Sequence, residues 1–224
     1  MLTRLIALIG KDKVERLNSK TVLVLGLGGV GSYALEGIVR SGIGHIIIVD
    51  SDKIDITNLN RQLMTNQNNV GRLKVDVLEE RIKAINPECK VTKINEFIVP
   101  ENIDLIFNIK PDFVIDAIDT LKTKKQLIKE CLNRKIKLIV ATGMGNKIDA
   151  TRVKITDLSK TSYDKIAKEL RLFVKKEKIN AKIPVVFSDE EPIKTDGIIA
   201  SNACVPAVAG LLCANYVINS LIKE

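Results

Sequence analysis

The chain has 224 residues, 46% of them hydrophobic and 28% charged, which suits one globular domain long enough to bury a sizeable core. Aromatic residues make up only 4% and Trp is absent, so that core rests on Ile, Leu and Val. A net charge of +8 suits a polyanionic partner such as RNA, and equally a solvated lysine-rich surface, because the lysines are scattered. The four cysteines, at 89, 131, 204 and 213, form no C-x-x-C pair. That spacing argues against a structural zinc site and for buried thiols in a reducing cytoplasm.

Met1 to Asn18 reads as a helical entry with Leu5, Leu8 and Ile9 on one face. Its apolar start is short, carries Arg4 and lacks a cleavage site, so it is no signal peptide. Thr21 to Leu25 is an apolar strand, and Gly26-Leu27-Gly28-Gly29-Val30-Gly31-Ser32 follows it as a glycine turn. A helix from Tyr33 to Arg40 and a strand Ile46 to Val49 ending on Asp50 complete the unit. Strand, glycine turn, helix, strand and acid together form a nucleotide fingerprint. Gly26 turns the chain, Gly28 and Gly29 let backbone N–H groups approach phosphate, and Gly31 lets helix meet strand. Asp50 stands where a carboxylate accepts from ribose hydroxyls.

An amphipathic helix follows Val70-Gly71-Arg72, with Val75, Leu78, Ile82 and Ile85 on its apolar face and Asn86-Pro87 ending it. Lys74 lies in its first turn, where a cation is unfavourable unless an anion is near. Val91 to Ile94 is a short strand, Glu101 to Ile109 a short helix, and Asp112 to Asp119 a strand running into its loop. A helix from Leu121 to Asn133 and a strand from Lys137 to Ala141 come next. Gly143 to Lys147 turns, Thr151 to Ile155 reverses direction, and Ser162 to Lys176 is a basic helix. Pro184 to Phe187 is a further strand, Glu190 to Asn202 is irregular, and Ala203 to Ile222 is a buried core helix rather than a membrane span. The expected fold is α/β: Rossmann-like, doubly wound, a mainly parallel sheet with helices on both faces and an antiparallel C-terminal extension. We expect one domain over 1–224, with a nucleotide-binding half at about 20–142 and a substrate-side half at about 143–224.

The stretch after the second strand narrows the chemistry. It runs Asp50-Ser51-Asp52, then Asn58 with Arg61-Gln62, then Lys74, and later Asp116 with Asp119. This set, with the glycine turn, resembles the adenylating enzymes of the ThiF/MoeB superfamily, relatives of the ubiquitin-activating enzymes. The resemblance implies ATP with Mg²⁺. Gly26, Gly28, Gly29, Gly31, Ser32, Asp50, Asp52, Asn58 and Gln62 would bind the nucleotide, and Arg61 and Lys74 would meet its phosphates. Arg72 has a weaker claim on phosphate. Asp119 would hold Mg²⁺, against the alternative that it caps the helix at Leu121, a task that could equally fall to Thr120. The resemblance also implies a homodimer in which Arg4 reaches the neighbour's triphosphate, although an ordinary surface arginine is an equal reading.

Members of one subset adenylate the C-terminal glycine of a ubiquitin-like sulfur-carrier protein, usually with paired C-x-x-C motifs and often a crossover-loop cysteine. Residues 143 to 203 contain no cysteine, so a covalent step there has no nucleophile. The second half is instead similar to the tRNA threonylcarbamoyladenosine dehydratases. The shared pieces include Gly145-Asn146-Lys147-Ile148-Asp149, Asp157-Leu158-Ser159-Lys160-Thr161, Val185-Val186-Phe187-Ser188 with Glu190, and Val205-Pro206. Ala150 and the run Gly197-Ile198-Ile199-Ala200-Ser201 depart from that branch. The implied activity is ATP-dependent cyclisation of a threonylcarbamoyl group on a tRNA adenosine, with tRNA as partner and no membrane. The alternative is an adenylyltransferase working with a ubiquitin-like or sulfur-transfer protein. His45, the one histidine, precedes the second strand, far from the site, so no histidine base is expected.

Overall fold

A computed structural model describes residues 1–223. Seven strands form one sheet in the order β3-β2-β1-β4-β5-β7-β6. They are β1 Thr21–Leu25, β2 His45–Val49, β3 Lys90–Ile94, β4 Phe113–Asp116, β5 Lys137–Ala141, β6 Val153–Asp157 and β7 Pro184–Ser188. All neighbours run parallel except β6 and β7, which pair antiparallel from Val153 opposite Ser188 to Asp157 opposite Pro184. The central strands are buried on both faces, as their continuous Val and Ile runs require.

Eight helices surround the sheet: α1 Thr3–Ile9, α2 Lys11–Asn18, α3 Gly31–Arg40, α4 Lys74–Ile85, α5 Asp104–Phe107, α6 Leu121–Arg134, α7 Lys165–Lys176 and α8 Cys204–Leu221. Leu35 and Ile38 of α3, Leu78 and Ile82 of α4, and Val205, Ala209, Cys213 and Val217 of α8 fill one face. Phe107 of α5, Leu127, Ile128 and Cys131 of α6, and Ala167 and Leu170 of α7 fill the other. α8 has the length and apolarity to cross a bilayer, but here its buried side packs on α3 and the sheet.

Several expected boundaries move for local reasons. The entry helix is two helices, broken at Gly10, whose φ of +91° no helix accepts. α2 fully buries Val14 and Leu17; α1 fully buries none, only Ile9 packs partly buried against the core, and Leu8 is exposed rather than part of an inward face. The helix expected from Glu101 shrinks to a 3-10 turn at Pro100–Asn102 and the four-residue α5, because the Asn102 side chain accepts from Val99 N at 2.8 Å and Lys110 turns left-handed. α7 begins three residues late. Tyr163 is left-handed, and Asp164 caps the helix by accepting from Ala167 N at 2.7 Å. β6 starts at Val153 because Asp149 accepts from Thr151 N and Oγ1 and holds Ala150–Arg152 in a 3-10 turn.

Candidate active site

β1 pairs with β2 on one side and β4 on the other, so the chain leaves this pair of neighbours in opposite directions. Such a switch point opens a crevice beyond the strands' C-terminal ends. The loop after β1 and the loop after β4 therefore lie side by side. A Cβ on Gly26 would stand 2.8 Å from Ala117 O, and one on Gly31 only 1.7 Å from Gly26 O. No side chain fits at either place, so the turn stays bare backbone facing a cavity of about 750 Å³.

The cavity gathers most of the residues expected from sequence. Gly26, Gly28, Gly29, Asp50, Asp52, Asn58, Arg61, Gln62, Lys74 and Asp119 all line it. Asp50 closes the glycine turn, with Oδ2 accepting from Leu27 N at 2.7 Å and Oδ1 from Asp52 N at 2.8 Å. Lys74 is buried, its Nζ 2.7 Å from Asp52 Oδ2 and 3.8 Å from Asp50 Oδ1. Those carboxylates, and not phosphate alone, offset a cation at the start of α4. Asn58 closes a capping box, its Oδ1 accepting from Asp55 N at 3.1 Å, while its carbonyl accepts from Arg61 N and Gln62 N. Arg61 donates to Thr57 O at 2.8 Å and Asn60 Oδ1 at 2.9 Å, and pairs with no carboxylate among the described residues. Gln62 is buried with Oε1 unpartnered, an acceptor waiting for a donor in the cavity. The exposed Asp119 carboxylate has no partner among the described residues, and the α6 N-cap position falls to Thr120.

Four residues stand apart. Gly31 and Ser32 support the turn from behind, and the buried Ser32 hydroxyl accepts from Leu63 N at 3.2 Å, fixing the segment that carries Arg61. Arg4 is exposed on α1 and does not line the cavity. Arg72 also stands outside it, paired with Glu80. Cys89, Cys131 and Cys213 are buried, but Cys204 is exposed at the start of α8, which corrects the reading of all four as buried. It lies in the first turn on the side turned to solvent, while Val205 and Pro206 beside it are buried. His45 opens β2, at the strand end opposite the cavity, between the Thr21 and Thr92 hydroxyls.

Sequence reading missed the supports of the site. Lys124, wholly buried on α6, donates to Asp116 Oδ1 at 2.8 Å and Ala141 O at 2.8 Å, tying together the ends of β4 and β5. Burial pushes the Asp116 carboxyl up even with Lys124 beside it. An acid at a buried strand end followed eight residues on by an inward helical lysine was the available signal. Asn146, left-handed at φ +59°, clasps the loop 190–203. It donates from its backbone to Ala200 O at 2.7 Å, and its side chain accepts from Ala200 N at 2.6 Å. Glu190 accepts from Ile148 N at 3.1 Å and Asp149 N at 3.0 Å, and the buried Lys147 donates to Ser188 O at 2.8 Å. Burial pushes the Lys147 amine down.

The model of the ThiF family matches residues 2–224. The chain is 45% identical to the tRNA threonylcarbamoyladenosine dehydratase of Bacillus subtilis over 96% of its own length and 92% of the relative's. It is 38% identical to the Escherichia coli enzyme of that name, covering 92% of this chain and 76% of the other. The structure of the E. coli dehydratase with ATP superposes with a TM-score of 0.91 at 34% identity, covering 97% of this chain and 92% of that one. The same enzyme with AMP gives 0.91 at 35%. This chain belongs to the ThiF family.

Proposed function

We propose that the chain is an ATP-dependent dehydratase that adenylates and cyclises the threonylcarbamoyl group of threonylcarbamoyladenosine in tRNA. The observation that carries this is the 45% identity to a dehydratase of that name across 92% of that enzyme's length. The cavity supports the chemistry. ATP fits an edge of bare glycine backbone, the Asp50 carboxylate and the unpartnered Gln62 amide oxygen.

The substrate carboxylate attacks the α-phosphate and pyrophosphate leaves. An internal nucleophile of the substrate then displaces AMP and closes the ring, a net loss of water. Arg61, with no carboxylate to neutralise it, would face the charge that builds on the phosphoryl oxygens. Lys74 would share its charge between Asp52 and the phosphates. The uncommitted Asp119 carboxylate is the donor that would hold Mg²⁺. Bound there, Mg²⁺ supplies charge neutralisation for the departing pyrophosphate. We assign Arg4 to a second copy's cavity, because it is exposed and lies outside its own.

Isotope exchange between pyrophosphate and ATP tests the reading. Exchange should require tRNA carrying threonylcarbamoyladenosine and survive Cys204→Ser, the exposed thiol having no step to perform. Exchange driven instead by a ubiquitin-like carrier, with none driven by that tRNA, would overturn it.

A further inference from the structure

A second cavity of about 780 Å³ adjoins the first across Ile199, whose side chain lines both and lies over Gly145. It is walled by the start of α7 and by the loop that Asn146 clasps. Asp164 lines it and is only 7% exposed. One carboxylate oxygen caps α7 through Ala167 N; the other, Oδ2, has no hydrogen-bond partner. That second oxygen stands 3.4 Å from where a Gly143 Cβ would be, and Gly143 lines the first cavity. Capping accounts for one oxygen and leaves the other buried without a hydrogen-bond donor, the Lys147 ammonium acting on the carboxylate only through space, so a ligand donor there is favourable.

The first cavity is filled by ATP in the function proposed above, so the nucleoside that presents its carboxylate to the α-phosphate must approach from beside it. The threonylcarbamoyl group carries two ureido N–H donors next to its reacting carboxylate. A lone buried acceptor at the wall between the two cavities meets that demand. The rim carries Lys165 and Lys168, both exposed and without an ion pair among the described residues, as a flanking phosphodiester would require. We propose that the second cavity seats the modified nucleoside and that Asp164 Oδ2 accepts a hydrogen bond from its ureido N–H. The inference rests on the dehydratase reading. It makes Asp164 a residue that positions the threonylcarbamoyl group, since a polar group placed for a substrate donor rejects a group that cannot donate.

Asp164→Asn is the informative variant. Its amide oxygen can still cap Ala167 N, which turns the NH₂ group toward the cavity and sets donor against donor. Asp164→Ser keeps a capping hydroxyl and leaves an empty space instead. With full-length protein, ATP and tRNA bearing threonylcarbamoyladenosine, Asp164→Asn should lower kcat/KM for the tRNA at least ten-fold, and more than Asp164→Ser does. KM for ATP, melting temperature and affinity for unmodified tRNA should stay at wild-type values. Wild-type kcat/KM in Asp164→Asn, or losses in both variants that follow their melting temperatures, would overturn the assignment while leaving the function standing. A wild-type protein that never dehydrates this tRNA would remove both.

Discussion

The two ends of the C-terminal sheet edge are built differently. On the nucleotide side the charged groups are already held: Asp50 by two backbone N–H groups, Lys74 by two carboxylates, and the floor by the Lys124–Asp116 pair. On the substrate side the loop 190–203 exposes Ile193, Ile198 and Ile199, the last 82% accessible, and is fastened mainly through Asn146. Preorganised charge serves a transition state that is the same in every turnover. A loop with little buried apolar area has low local stability. Changes on the first side should therefore alter stability or chemistry, and changes on the second should alter tRNA use alone.

The largest test of that division is Lys124→Met. It leaves the buried Asp116 without its cation and should cost about 3–5 kcal/mol in urea unfolding. Restoring apolarity with Asp116→Leu in the same chain should recover most of it, and no recovery would mean that the pair is not what the floor depends on. Arg61→Ala comes next. We expect a rate loss of about 10²–10³-fold, roughly 3–4 kcal/mol, by analogy with removing one oxyanion-hole donor. Filter binding of tRNA should not change, because dispersed lysines carry it.

A smaller effect separates the other side. Asn146→Ala deletes the bonds to Ala200 N and Thr195 Oγ1 and strains a left-handed residue, for about 1–3 kcal/mol locally. Hydrogen exchange at Ala200 should speed up and tRNA turnover fall while ATP affinity holds. Asn146→Gly should be milder because glycine accepts that backbone. The smallest effect is electrostatic. Hydrogen bonds from Lys154 and Arg152 hold Asp189 at about 2, below its ordinary 3.8. A lowered carboxylate stabilises the fold above its unfolded value and loses that contribution as pH falls from about 3.8 toward 2. Asp189→Asn should flatten the stability curve slightly in that window, and less so in high salt, since the group is partly exposed.

The sheet and the nucleotide crevice were legible because apolar runs, the glycine turn and the acids that follow each strand are local signals. Ten of the expected site residues line one cavity for that reason. Helix boundaries were less legible: Gly10, Lys110 and Tyr163 take left-handed backbone that the apolar period does not register. Lys124 escaped because a lysine at helical spacing reads as solvated until tertiary packing buries it. Asn146 and Asp164 escaped because their partners, Ala200 and the second cavity, come from distant segments. Cys204 was misplaced since a thiol in an apolar run reads as buried, yet only Val205 and Pro206 of that turn face inward.

The mass of one nucleoside decides whether the chain is a dehydratase. Incubated with ATP, Mg²⁺ and tRNA bearing threonylcarbamoyladenosine, the protein should release AMP and pyrophosphate and yield, after digestion of the tRNA, a nucleoside lighter by one water. An unchanged nucleoside mass alongside adenylation of a ubiquitin-like carrier's C-terminal glycine would contradict the account.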